Sequence, residues 1–157
     1  MIDENWAFIL MEWIGWGKMM EYCISEYVDY NEQEILPLYE SVGWQNYTQR
    51  PQMLKEAYAH SLKIYAAYVN NKLAGIIRVV GDGASVVFVQ DLLVYPEYQR
   101  QGIGTKMIKY VREQLKQETE KISYIVLNTE KGYPSVKFYE ANGFKADESL
   151  VFMAADV

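Results

Sequence analysis

One cysteine, one histidine and fewer basic than acidic side chains set the first limits on this 157-residue chain. Cys23 alone cannot close an intrachain disulfide, which fits a reducing compartment and a cytoplasmic location. Its ordinary role is that of a small core thiol. His60 stands by itself near the end of a predicted helix, a surface or helix-end position. No cluster of His, Cys and acid has metal-ligand spacing, so no metal is expected. Fifteen Lys and Arg against 21 Asp and Glu leave a net charge of −6. That balance disfavours non-specific nucleic-acid binding and suits a cationic substrate. Long apolar runs are missing too. The hydrophobic stretch near the start is broken by Glu12, Gly15 and Gly17, too soon to cross a bilayer. It also lacks the basic start and small-residue cleavage site of a secretion signal, and membrane contact is not expected.

Half of the residues are hydrophobic, enough for one domain with a core of its own. Residues 1–19 read as a leader extension, with Trp6, Leu10 and Trp13 at the spacing of a short amphipathic helix. Residues 20–157 read as the domain. "EYCISEYV" is a first strand. "NEQEILPLYESVGW" is a helix capped by Asn31, with Ile35, Leu38, Tyr39 and Val42 on its inner face. A second helix fits "QMLKEAYAHSL". Three strands follow in "KIYAAYVNN", "KLAGIIRVVGD" and "ASVVFVQDLLV", with turns at Asn70-Asn71 and Gly81-Asp82-Gly83. A long helix, the strand "ISYIVLNT", a short helix in "YPSVKFYEANGF" ending near Gly143 and a last strand in "SLVFMAAD" complete the order. The pattern predicts an α/β fold with a mixed, mostly antiparallel central sheet flanked by helices.

In "LLVYPEYQRQGIGTKMIKYVREQLKQ" a strand crosses a polar turn with two glycines and becomes a helix. The helix buries Ile103, Met107, Ile108, Val111 and Leu115. The first amides of a helix have no internal partner and carry partial positive charge, so they form an anion site. Gly102 and Gly104 leave room for an anion to approach and permit positive φ. A phosphate held by the amides of Gln101 to Thr105 follows, with Arg100 at the rim. Glycines before a helix also serve as plain turn-makers, and the loop alone leaves both roles open. Two nucleotide motifs are excluded by spacing. Met107 stands where a dinucleotide fingerprint needs its third glycine, and Gly104-Thr105-Lys106 breaks the Gly-Lys-Ser/Thr unit of a phosphate loop.

The run Gln99-Arg100-Gln101-Gly102-Ile103-Gly104 resembles the Q/R-x-x-G-x-G/A signature of the GCN5-related N-acetyltransferase (GNAT) superfamily. "VKFYEANGF" resembles that family's "FYEKLGF" segment. The likeness in element order spans about residues 20 to 155, and it implies a sheet split by a V-shaped cofactor cleft. It also implies an acetyl-CoA-dependent N-acetyltransferase acting on a primary amine of a small molecule or peptide. By the same resemblance, amides of Gln101, Gly102, Ile103, Gly104 and Thr105 hold the pyrophosphate, and Gln99 and Arg100 belong to the same loop. Backbone groups of Leu92, Leu93 and Val94 pair with the pantetheine arm, and Tyr139 protonates the departing thiolate. A phenol suits that task because it donates a proton without the cost of a buried charge. Phe138 and Phe144 nearby leave a plain core-aromatic role as the alternative for Tyr139.

The likeness weakens at two places. Many relatives carry an asparagine seven positions before the tyrosine, where this chain has Gly132, and Ser135 replaces a usual alanine. Asn128 is the candidate to reach the pantetheine arm instead, against a role as a loop cap. For the amine proton, Asp91 is the preferred base, with Gln90 expected on the opposite face by the strand's two-residue period. The carboxylate could equally cap or pair within the sheet. Tyr39, Val42, Trp44 and Tyr47 are candidate walls of a partly apolar acceptor pocket. A non-catalytic acyl-CoA-binding sensor or interaction module is the competing function. A homodimer is expected, using the last strands or the Trp-rich leader.

Overall fold

A computed structural model describes residues 8–14, 18–118 and 124–155. Six strands form one sheet in the order β1-β2-β3-β4-β5-β6: β1 Phe8–Ile14, β2 Lys18–Glu26, β3 Lys63–Val69, β4 Lys72–Gly81, β5 Val86–Val94 and β6 Tyr124–Leu127. Each neighbouring pair from β1 to β5 is antiparallel, and β5–β6 is parallel. Among the described residues five α-helices accompany them: α1 Glu32–Ser41, α2 Gln45–Thr48, α3 Pro51–Ala59, α4 Ile103–Glu118 and α5 Pro134–Ala141.

Local sequence explains most of these elements. The Asn31 side chain accepts a hydrogen bond from the Gln33 amide and caps α1, satisfying one of the amides a helix start leaves free. Asn70 and Asn71 both take positive φ, 48° and 62°, as the tight β3–β4 turn requires. Asp82 accepts from the amides of Ala84, Ser85 and Val86 and so closes the β4–β5 turn.

The core has two parts, one on each face of the sheet. Ile103, Met107, Ile108, Val111 and Leu115 of α4 pack on one face against Ile24, Tyr65, Ala67, Val79, Val87 and Val89. On the other, Ile35, Leu38 and Tyr39 of α1 and Leu54 and Tyr58 of α3 cover Ile64, Ala66, Ile76 and Leu93. Between the layers, β4 and β5 approach closely at Gly75, where a Cβ would sit 2.5 Å from the Leu93 carbonyl oxygen. Gly75→Ala is therefore expected to cost about 1–3 kcal/mol by overpacking. Thermal unfolding should show it as a drop of roughly 2–12 °C.

Three expectations are corrected. Residues 8–14 of the leader form strand β1, not a helix, in register with β2 from Phe8↔Ile24 to Ile14↔Lys18. Phe, Ile and Trp dominate this stretch, and such residues favour a pleated strand once an edge is available. Trp6 lies outside the described residues. The last strand is also absent over 149–155. An Asp147 turn diverts the chain there, the carboxylate accepting from the Ser149 amide and hydroxyl, and Leu150, Val151, Phe152 and Met153 face solvent. Third, Gln90 and Asp91 do not point to opposite faces, because β5 bulges at Gln90.

Candidate active site

Strand β5 makes the site by losing its neighbour and its period at the same point. Its parallel pairing with β6 runs from Val86↔Tyr124 to Val89↔Leu127 and stops. Residues 90–94 continue as strand with β4 on one side only. This is the V-shaped split in the sheet, and it leaves a strand edge whose backbone groups need a partner.

At the mouth of the split β5 bulges. Arg78 pairs with Asp91 and the next residue, Val79, pairs with Val89, so Gln90 is the extra residue. A single insertion shifts the alternation by one. Val87 and Val89 pack under α4, and past the bulge Leu92 and Val94 do so again, with Leu93 under α1 and α3. Gln90 and Asp91 consequently both reach the α1–α2 side. The Gln90 amide nitrogen donates to the Tyr47 hydroxyl (3.3 Å), and the Tyr39 hydroxyl donates to Asp91 Oδ2 (2.7 Å).

Asp91 is almost fully buried and forms an ion pair with Arg78, whose Nε donates to the same Oδ2. Arg78 also donates to Ser61 Oγ (3.2 Å) and lies over the Tyr58 ring. Burial alone would lower the guanidinium's pKa, but the neighbouring Asp91 carboxylate outweighs it and holds Arg78 above its usual value. Tyr58 donates to the Tyr39 hydroxyl (3.3 Å). Burial first, then the neighbouring phenol and carboxylate, push Tyr39 far up, so it stays a hydrogen-bond donor. Asp91 Oδ1 has no hydrogen-bond partner. Sequence reasoning missed Arg78 and Tyr58; the signal was an arginine inside the apolar run "AGIIRVVG", since a buried charge requires an opposite one.

The glycine turn lies just beyond the split. Lys106 is the amide that bonds back to Gly102 O (3.0 Å), so the helix-start amides ahead of it are directed outward. Gly102 has φ 81° and Arg100 φ 59°. The Gln99 side chain donates to Val94 O (2.9 Å) and that of Gln101 to Glu97 O (2.7 Å). Both glutamines therefore brace the loop with their side chains, leaving backbone to face an anion. Gly104 has a second duty: a Cβ there would stand 3.1 Å from Cζ of Phe138. That close approach docks α5 on the first turn of α4.

Docking fixes the neighbouring Tyr139. Its ring is held edge-on between Phe138 and Phe144, at centroid distances of 5.1 and 5.6 Å. Asn142, unremarked in the sequence, ties the two helices: its side chain donates to Thr105 Oγ1 (3.3 Å) and Phe138 O (2.8 Å), and Arg112 donates to its carbonyl (2.6 Å). Burial raises the Tyr139 pKa, which keeps the phenol protonated at neutral pH. Asn128 is exposed immediately after β6. Gly132 takes φ 84°, and Ser135 shares a hydrogen bond with Thr129 (2.6 Å). His60 sits exposed at the end of α3, its Nδ1 at 2.8 Å from Glu56 O. Among the described residues, no group of three or more His, Cys, Asp or Glu is placed to hold a metal ion. No described helix is long and apolar enough to cross a membrane.

The acetyltransferase (GNAT) domain profile matches residues 27–154. The chain belongs to the GNAT family. An uncharacterized ycf52-like N-acetyltransferase of Prochlorococcus marinus is 29% identical over 116 residues, covering 71% of this chain and 61% of its own length. The chain thus spans less than two thirds of that relative. A GNAT-family acetyltransferase of Streptococcus pneumoniae superposes with a TM-score of 0.71 at 36% identity, covering 86% of this chain and 99% of that one. The aminoglycoside N-acetyltransferase AAC(6')-Iy, solved in complex with CoA, shares the fold with a TM-score of 0.68 at 16% identity, over 90% of this chain and 99% of its own. Residues 27–154 thus form an acetyltransferase (GNAT) domain, and the relatives named here carry the name acetyltransferase.

Proposed function

We propose that this GNAT protein moves the acetyl group of acetyl-CoA onto a primary amine of a small molecule or peptide, by direct attack. The observation that carries the reading is the docking of α5 at Gly104. It brings Phe138, the neighbour of the half-buried Tyr139, against the first turn of α4, which supports a proton donor near the helix start.

Each part has a task. The α4 amides around Gly102–Thr105 take the diphosphate by charge-assisted hydrogen bonds. The free edge of β5 at Leu92–Val94 pairs with the amide-bearing arm as an added strand would. The split then receives the thioester, and a neutral amine enters from the α1–α2 side. As nitrogen bonds to the carbonyl carbon, the carbon–sulfur bond breaks and Tyr139 gives its proton to the thiolate. Tyr139 recovers that proton from water. The proton leaving the amine is assigned to water in the split; Asp91, expected as the base, is sealed from solvent in its ion pair with Arg78 and is assigned to holding the acceptor side. Asn128, at the end of β6, is assigned to the pantetheine arm.

Purified protein incubated with acetyl-CoA and a broad panel of amines tests this by release of free thiol. Amine-dependent release, with the acetylated amine found by mass spectrometry, is the expected result. Binding of coenzyme A with no release on any amine contradicts it and leaves the non-catalytic acyl-CoA-binding module.

A further inference from the structure

The split is the donor side, and the acceptor side is walled by aromatic rings. On that side Trp44 and Tyr47 stack at 5.9 Å, and Tyr39 lies against both rings at 6.1 and 5.1 Å. Trp44 and Tyr47 belong to the short α2 and its cap, a segment that contributes no fully buried residue of its own. So small an element has little to fix its place except its contacts. Two connections lead from it to β5: directly, Gln90 to the Tyr47 hydroxyl, and indirectly, through the ring of Tyr39 in α1, whose hydroxyl donates to Asp91. Only the second is buried, and it rests on Arg78.

We infer that Arg78 is a positioning residue for the acceptor: through Asp91 it fixes the Tyr39 hydroxyl, and through Tyr39 it sets the Trp44–Tyr47 wall against the split. This rests on the amine-acceptor reading above. Arg78 is far from solvent and cannot meet substrate itself. It acts because a guanidinium has several donors in a fixed plane. Nε holds Asp91 while the NH1 nitrogen holds Ser61 in the turn ahead of β3. The carboxylate therefore has one orientation, and the phenol bound to it has one position. Tyr39 donates to the carboxylate and Tyr58 donates to Tyr39 in turn, so hydroxyls flank the ion pair on the α1–α3 side.

The test uses Arg78→Lys and Tyr39→Phe in the full chain. Arg78→Lys keeps the charge but loses the planar fork; Tyr39→Phe keeps the ring and loses only the hydroxyl, the smaller change of the two, and folding of each is checked by circular dichroism. Three quantities are read: KM for the best amine, kcat, and coenzyme A affinity by calorimetry. Amide hydrogen exchange across residues 44–49 is followed alongside. The expected result is an acceptor KM raised roughly tenfold in each variant, kcat changed less than about threefold, coenzyme A affinity within about twofold, and faster exchange at 44–49. Faster exchange with an unchanged acceptor KM overturns the proposal, because the anchor would then be structural only. A kcat loss without a KM change also overturns it, placing the network at the chemical step. A wild-type protein that binds coenzyme A but releases no thiol with any amine overturns the amine reading, and this assignment with it.

Discussion

Gly104→Glu is expected to weaken coenzyme A binding on the order of 100-fold, whereas removing the charge of Arg100 should weaken it less than about fivefold. The contrast follows from where the loop's donors are. Gln99 and Gln101 spend their side chains on Val94 O and Glu97 O, and the outward groups are backbone amides. Two charge-assisted hydrogen bonds lost to a misplaced diphosphate amount to roughly 3 kcal/mol, or about 100-fold. A carboxylate beside the diphosphate adds repulsion. The new side chain also meets Phe138, 3.1 Å from the position of its Cβ, and so disturbs α5. Arg100, by contrast, is exposed, and an exposed ion contact contributes at most about 1 kcal/mol. Because Arg100 has φ 59°, the suitable variant is Arg100→Gly, which removes the charge without straining the turn. Calorimetric titration of both variants, with folding checked by circular dichroism, decides. Equal and small losses would move the diphosphate away from this helix end.

Tyr139→Phe is expected to lower turnover by roughly 100- to 1,000-fold, the usual share of a general acid, while coenzyme A affinity stays within about twofold. The phenol oxygen matters only as charge develops on sulfur, so its loss should fall on kcat and on kcat/KM alike. The ring remains, and with it the edge contacts to Phe138 and Phe144. The pH profile gives a second check. Burial raises the Tyr139 pKa, so the acid form persists to higher pH than for an ordinary phenol. The alkaline limb due to this group should therefore lie above the usual tyrosine range, and it should vanish in Tyr139→Phe. A variant that loses coenzyme A affinity but turns over bound substrate normally makes Tyr139 a wall residue instead.

The donor half of the site was legible because it is written in consecutive residues. The period change from Leu92 to Met107, the paired glycines and the "FYEANGF" block each act locally, and the structure joins two of them at Gly104 and Phe138. The Asn70-Asn71 turn and the Asn31 cap were legible for the same reason. The acceptor side was not. One inserted residue at Gln90 leaves no mark on a two-residue alternation, yet it turns Gln90 and Asp91 to one side. Arg78 passed unread inside an apolar run; it lies 13 residues from Asp91 and only strand register brings them together. The two misread ends share a cause: β propensity reports what fits an available edge. Residues 8–14 found one in β2, whereas 149–155 did not.

A crystal structure with coenzyme A measures the central claim most directly, because the account places three parts of one ligand on three named pieces of backbone and side chain. The diphosphate is predicted on the amides of Gly102–Thr105, the arm along Leu92–Val94, and the sulfur in the split beyond the last β5–β6 pair, Val89↔Leu127. The Tyr139 hydroxyl should lie within roughly 3 to 4 Å of that sulfur, the reach of a proton donor with some ground-state slack. A diphosphate elsewhere, or a sulfur on the far side of α5 from the Tyr139 hydroxyl, would contradict the account.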